Sequence, residues 1–251
     1  MENSKKIYFA SDFHLGVPAK ETSRERELLL VGWLKDVSKD ASLVYLVGDI
    51  FDFWFEYKTV VPKGHVRLLG QLASMVDSGI KIELFTGNHD MWMFNYLEKE
   101  IGVTIHRDPI ERVIDGKRFY IGHGDGLGPG DAIYKVWKKI FSNKLCQWMF
   151  ARIHPSLGFA IATAWSGKSR MNNNKKEDAF VSKDQEWLYI YSKSILEKKH
   201  FDYFIFGHRH MPLELKIDGH ESTYLNLGEW VSGNAHYAVF DGTICSLKKL
   251  I

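Results

Sequence analysis

The sequence predicts an α/β protein in which strands are covered on both faces by helices. Apolar runs bounded by glycine and acidic residues, short enough to be strands, recur at 6–10, 43–47, 81–85, 118–121 and 203–206. Segments with helical spacing of apolar residues separate the first three of them. Strands that are apolar on successive positions, alternating with amphipathic helices, belong to a sheet sandwiched by helices rather than to one with a wet face.

The run at 6–10, "KIYFA", is the first strand, and residues 25–37 place Leu28, Leu29, Val31, Trp33 and Leu34 among charges as a helix. A second strand at 43–47 precedes a helix over 66–78 that carries Leu68, Leu69, Leu72, Met75 and Val76. Strands at 81–85 and 118–121 come next. Residues 131–170 do not fit this alternation: they are helical in pattern and rich in aromatics and lysines. After the strand at 203–206, short segments at 213–217, 222–227, 235–240 and 243–247, some divided by "DGH" and "DGT" turns, read as antiparallel β.

Bulk properties narrow the function. A chain of 251 residues can form one large domain; the expectation is a single domain over 1–251 with an insertion at about 131–170. The net charge of +2 argues against a nucleic-acid partner. Cys146 and Cys245 are far apart and form no CxxC, so neither a disulfide framework nor a thiolate zinc site is indicated. The opening "MENSKKIYFASD" lacks a signal-peptide pattern, and no run reaches the roughly 18 apolar residues of a spanning helix. The expected location is the cytoplasm.

The chemistry lies in the residues just beyond each strand. "SDFHLG" places Asp12 and His14 after the first strand, "GDIFDFW" places Asp49 and Asp52 after the second, and "GNHDMW" places Asn88, His89 and Asp90 after the third. "GHGDG" with His123 comes after residue 121, and "GHRH" with His208 and His210 comes after residue 206. Each cluster alone has an ordinary reading: Asp-x-His can cap a helix, "GD" and "GN" are common turns, and a single histidine at a turn is seldom a ligand. Five together, at the carboxyl ends of strands where α/β proteins place their sites, point to a metal centre. Carboxylate, imidazole and amide donors without thiolate suit Mn²⁺, Fe²⁺ or Zn²⁺. So many donors exceed one tetrahedral site and match two ions sharing a carboxylate.

The series D-x-H, GD, GNHD, GH and GHxH, spread in order over 12–210, resembles that of the calcineurin-like metallophosphoesterases. The resemblance implies a two-sheet α/β sandwich flanked by helices. It also implies two divalent ions: one held by Asp12, His14, Asp49 and His210, the other by Asp49, Asn88, His123 and His208. In this scheme His89 is a proton donor or charge stabiliser on the leaving side, oriented by Asp90, and Asp90 also reads as the cap of a helix beginning at Met91. Manganese is the expected metal, with zinc or iron as alternatives.

Three further stretches, "GDIFDFWFEY", "HGDGLGPGDAIYKVWKK" and "GHRHMP", are similar to patterns of the UDP-2,3-diacylglucosamine diphosphatases of lipid A synthesis. That likeness implies a nucleotide-activated acylated sugar as substrate and an enzyme peripheral to the inner membrane. The insertion points the same way. Ile133, Trp137, Ile140, Phe141, Leu145, Trp148 and Met149 recur at helical spacing, with Lys135, Lys138, Lys139, Lys144 and Arg152 between them, as in a basic amphipathic lid over lipid. A core helix docked on the sheet is the ordinary alternative. By analogy with the family's lid, Tyr134, Lys168 and Arg170 would touch phosphate or sugar, and Asn88 is expected to contact substrate as well as metal. One departure stands out: the lipid A enzymes carry arginine where this chain has His89, which leaves open a divergent lipid A enzyme or a paralogue with another substrate.

Overall fold

The computed structural model describes residues 5–17, 19, 22–129, 132–173 and 180–250, with the side chains of all but 132, 133 and 168–173. In chain order the elements are β1 (Lys6–Ala10), α1 (Ser23–Val37), β2 (Ala41–Val47), α2 (Val66–Asp77), β3 (Lys81–Phe85), α3 (Tyr96–Ile101), β4 (Thr104–His106), β5 (Ile110–Ile114) and β6 (Lys117–Ile121). Next come α4 (Ala132–Phe141), α5 (Lys144–Phe150), α6 (Pro155–Asn173), α7 (Trp187–Leu196), β7 (Tyr203–Phe206), β8 (Pro212–Lys216), β9 (Thr223–Leu227), β10 (His236–Phe240) and β11 (Cys245–Lys249).

Alternation along the strands sorts the chain into layers. On β1, Phe9 points to one side, where it joins Tyr45, Val47 and Phe85 against Phe119, Ile121, Ile205 and Leu225. Tyr8 and Ala10 point to the other side, against Leu30 and Leu34 of α1 and Leu68 and Leu72 of α2. Two sheets therefore face one another across an apolar core: a six-stranded sheet ordered β11-β10-β1-β2-β3-β4 and a five-stranded sheet ordered β5-β6-β7-β9-β8. The outer face of the second is covered by α7 through Leu188, Tyr189 and Leu196 packed on Phe204, Phe206 and Tyr224. Strands β1, β2 and β3 run parallel in the first sheet, and β6 and β7 run parallel in the second. Their carboxyl ends supply the five loops that the sequence marks.

Side chains set the helix boundaries. Thr22 accepts the N–H of Glu25 while the Glu25 carboxylate accepts the N–H of Thr22, a reciprocal cap that starts α1 two residues ahead of the periodic signal. His65, left-handed at the start of α2, offers no side-chain cap; the buried Glu27 carboxylate from α1 accepts from Arg67 and Leu68 N–H instead.

Three expectations need correcting. The segment at 222–227 is antiparallel to β8 but pairs in parallel with β7, because β8 takes the sheet edge and leaves β9 inside. The continuous amphipathic helix read over 133–149 is broken at Ser142–Asn143, where the Asn143 side chain accepts the Leu145 N–H and starts α5. Asp90 does not cap a helix at Met91; the next helix is α3, after Asn95. Among the described residues no helix is long and apolar enough to cross a membrane.

Candidate metal centre

The five loops converge. His14 Nε2 and His210 Nε2 stand 3.1 Å apart, and Asp12 Oδ1 lies 3.2 Å from His210 Nε2 and 3.8 Å from His14 Nε2. A second group forms beside the first: Asn88 Oδ1 is 3.0 Å from His208 Nδ1 and 3.4 Å from His123 Nε2. One atom joins the groups. Asp49 Oδ2 is 3.8 Å from His14 Nε2 and 3.4 Å from His123 Nε2.

Each carboxylate divides its oxygens between two tasks. Asp12 Oδ2 accepts the backbone N–H of His208, and Asp49 Oδ1 accepts that of His89. The remaining oxygens, Asp12 Oδ1 and Asp49 Oδ2, face the imidazoles. Asp12 Oδ1 is fully enclosed and faces the His210 imidazole at 3.2 Å, and a carboxylate oxygen buried in this way calls for a cation. His123 Nδ1 is turned to the Val47 carbonyl at 2.9 Å, which directs Nε2 inward.

Backbone strain gathers at the same place. Asp12, His14, Asp49, His208 and His210 all have positive φ, between 43° and 67°, a region that non-glycine residues seldom occupy. Two glycines allow the loops to approach so closely. A Cβ at Gly87 would stand 2.2 Å from Asp49 Oδ1, and one at Gly207 would stand 2.4 Å from Asp12 Oδ2.

The electrostatics call for positive charge. Burial opposes ionisation of Asp49, yet the His123 and His89 imidazoles override it and hold the carboxyl well below its usual range. Burial pulls His123 down, but Asp49, Asp12 and Asp125 raise it to about 10. His208, buried and next to His123, falls to about 4. A buried cage in which an imidazole must take up a proton to balance carboxylates is short of cations, so the donor set fits divalent metal ions.

Around the cage, Asp90 braces the loops. Its carboxylate accepts the N–H groups of Ile50, Phe51 and Gly87 at 2.7, 3.2 and 2.8 Å. Burial and Asp49 push Asp90 up to about 7. The orienting contact expected from Asp90 comes instead from Asp52: His89 Nδ1 lies 3.1 Å from the Asp52 carbonyl oxygen and 3.2 Å from Asp52 Oδ1. Tyr134 donates to Asp125 Oδ2 at 2.7 Å and Lys138 pairs with the same oxygen, so α4 is fastened to the loop that carries His123. The side chains of Lys168 and Arg170 lie outside the described residues.

Two features escape a reading of the sequence. Asp52 is visible as an aspartate three residues after Asp49, but nothing in the spacing pairs it with His89. Arg209, between two candidate ligands, is buried against Glu186 at 3.1 Å and stacks over Trp187, anchoring the GHRH loop to the start of α7.

The calcineurin-like phosphoesterase family matches residues 5–212, a span that holds every loop just described. The chain belongs to that family. This phosphoesterase is 35% identical to a UDP-2,3-diacylglucosamine hydrolase of Porphyromonas gingivalis, over 98% of its own length and 97% of the relative's. It is 27% identical to proteins of the same name from Aeromonas salmonicida, covering 88% of this chain and 85% of the relative, and Actinobacillus succinogenes, covering 90% and 92%. Among solved structures, an archaeal phosphodiesterase superposes with a TM-score of 0.50 at 14% identity, over 98% of this phosphoesterase and 99% of that chain, and shows the shared fold. As a member of the family, the protein is a hydrolase of phosphoester or phosphoanhydride bonds that works with divalent metal.

Proposed function

We propose that this phosphoesterase hydrolyses the pyrophosphate of UDP-2,3-diacylglucosamine, releasing UMP and 2,3-diacylglucosamine 1-phosphate. The observation that carries the reading is the pairing of two donor groups at Asp49 with a helical insertion fastened, through Tyr134 and Lys138, to a loop of the same cage. The near full-length likeness to the Porphyromonas gingivalis protein supports the substrate.

Asp12, His14, Asp49 and His210 would hold one divalent ion, and Asp49, Asn88, His123 and His208 the other. Manganese is the metal proposed, and iron and zinc also suit these donors. Bound there, the ions supply Lewis acidity and charge neutralisation for in-line attack of water on phosphorus.

The chain's own groups do the rest. With Nδ1 of His89 held by Asp52, its Nε2 is the nitrogen left to protonate the departing oxygen. Asp90 keeps the loops of Asp49 and His89 in register through its three backbone contacts. Asn88, Tyr134, Lys168 and Arg170 are assigned to the phosphates and sugar. The insertion excludes water and receives the acyl chains. Phe141, Phe150 and Phe159 pack on Trp92, Phe53 and Phe55, while Trp148, Leu145 and Met149 stay at least half exposed beside Lys144 and Arg152. That outer face suits contact with the cytoplasmic surface of the inner membrane, where the lipid substrate lies. The whole chain acts as one catalytic domain.

Incubation of the purified protein with UDP-2,3-diacylglucosamine and Mn²⁺ should yield UMP and the acylated sugar 1-phosphate by mass spectrometry, and chelation should abolish both. Hydrolysis of a small phosphodiester without any turnover of the lipid would reassign the substrate within the family.

A further inference from the structure

We propose that Ser166, carried on the insertion helix α6, is a positioning residue for His89, so that the insertion completes the catalytic geometry as well as covering it. The inference rests on the proton-donor role given to His89 above.

Nδ1 of His89 is faced by oxygen atoms: the Asp52 carbonyl at 3.1 Å, Asp52 Oδ1 at 3.2 Å and Ser166 Oγ at 3.3 Å. A carbonyl and a carboxylate can only accept. Ser166 Oγ gives its own hydrogen to Asp52 Oδ1 at 2.8 Å and so turns lone pairs toward the imidazole. Three acceptors around one ring nitrogen place a hydrogen on Nδ1 and commit Nε2 to the reacting group. Ser166 therefore does two things: it fixes the rotation of the Asp52 carboxylate, and it closes one side of Nδ1. Ser166 and Asp52 are both only 6% exposed, so water does not compete for these bonds.

The contact links parts of the chain 114 residues apart. Asp52 belongs to the loop after β2, on the sheet scaffold; Ser166 belongs to the insertion. The same helix grips the neighbouring residue, since Phe159 meets Phe53 edge-on at 4.9 Å. Asp52, Phe53, Phe159 and Thr163 also line a cavity of about 560 Å³ between α6 and the loop at 60–65. A displacement of α6 would thus reach Asp52 through its side chain and through the residue beside it. A small polar residue filling a helix contact would make the same hydrogen bonds without affecting His89, and the test separates the two.

In metal-free full-length protein, long-range ¹H–¹⁵N correlation of the His89 imidazole, identified by its loss in His89→Gln, should show a hydrogen on Nδ1 that exchanges slowly with water. Ser166→Ala should speed that exchange at least tenfold, and Ser166→Thr, which keeps the hydroxyl, should not. With Mn²⁺ and bis(4-nitrophenyl) phosphate as substrate, Ser166→Ala should lower kcat about tenfold with KM within twofold and metal content unchanged, and Ser166→Thr should recover most of the loss. Exchange in Ser166→Ala equal to wild type, or an equal kcat, overturns the proposal. If the wild-type protein fails to hydrolyse the phosphodiester at all, hydrolysis at this site is wrong, while the exchange measurement still decides the role of Ser166.

Discussion

Asp49 spends both carboxylate oxygens, one on the His89 backbone and one on the space between His14 and His123. Asp49→Ala should therefore empty both metal positions together, with metal near zero by plasma mass spectrometry; retention of one ion would show that the two groups are independent. His89 contributes no oxygen or nitrogen to either proposed ligand set. His89→Ala should keep both ions and slow turnover by roughly 10²–10⁴-fold, the range of a lost general acid. At Gly207 the constraint is steric. An alanine Cβ would stand 2.4 Å from Asp12 Oδ2, so Gly207→Ala should weaken metal binding at the Asp12 group, read as a higher manganese requirement for activity. At this scale the sequence is informative about donors, because carboxylate, amide and imidazole side chains beside glycine leave a visible signature. It is silent about Asp52 and Ser166, whose contacts with His89 are made across the fold and carry no local spacing.

At the level of elements, loops at the carboxyl ends of parallel strands hold the site, and one of them is tied down by a buried ion pair. Arg209 and Glu186 have side chains 7% and 2% exposed, and Tyr224 also donates to Glu186. Arg209→Met would leave Glu186 buried and unpaired, at a cost of about 3–5 kcal/mol measured by thermal or urea unfolding, and a companion Glu186→Gln change should recover part of it. Another pair joins the edge of the first sheet. Burial opposes the charge on Glu83, but the His106 hydrogen bond at 2.7 Å and Arg112 outweigh it and hold its pKa below the ordinary 4.5. A depressed carboxyl stabilises the fold above the unfolded pKa and loses that contribution as pH falls through the folded one. The part of the stability gap between wild type and Glu83→Gln that comes from the ionised Glu83 should accordingly be lost as pH falls below about 4.5. Long periodic elements such as α1, α2 and β1–β3 are legible in the sequence. The three-residue β4 and the charged edge strand β5 are not, since their patterns are too brief to show a period, and α7 is hidden because Ser192, Lys193 and Ser194 interrupt its apolar run.

Over the whole molecule, two packed sheets with helices outside form the frame, and α4–α6 meet it through aromatic side chains, the Trp92 hydrogen bond to the Phe141 carbonyl, and the polar contacts of Tyr134, Lys138 and Ser166. Its outer face combines Trp148, Met149 and Leu145 with Lys144 and Arg152. The protein should co-sediment with anionic vesicles, less so at high salt, and Trp148→Ser with Met149→Ser should weaken that binding while leaving hydrolysis of a small soluble phosphodiester intact. Undiminished sedimentation would place the membrane contact elsewhere. The layered architecture is readable from strand–helix alternation, but the interior place of β9 is not, because strand order depends on long-range pairing.

The split use of the oxygens of Asp12 and Asp49 has a consequence for the life of the protein. Asp12 holds the His208 backbone and Asp49 holds the His89 backbone through hydrogen bonds that involve no ion, so those two loops should stay in place when metal is chelated. Chelator-treated protein should then keep its native circular dichroism and regain activity when divalent metal is added back; loss of the fold on chelation would show that the ions themselves hold these loops.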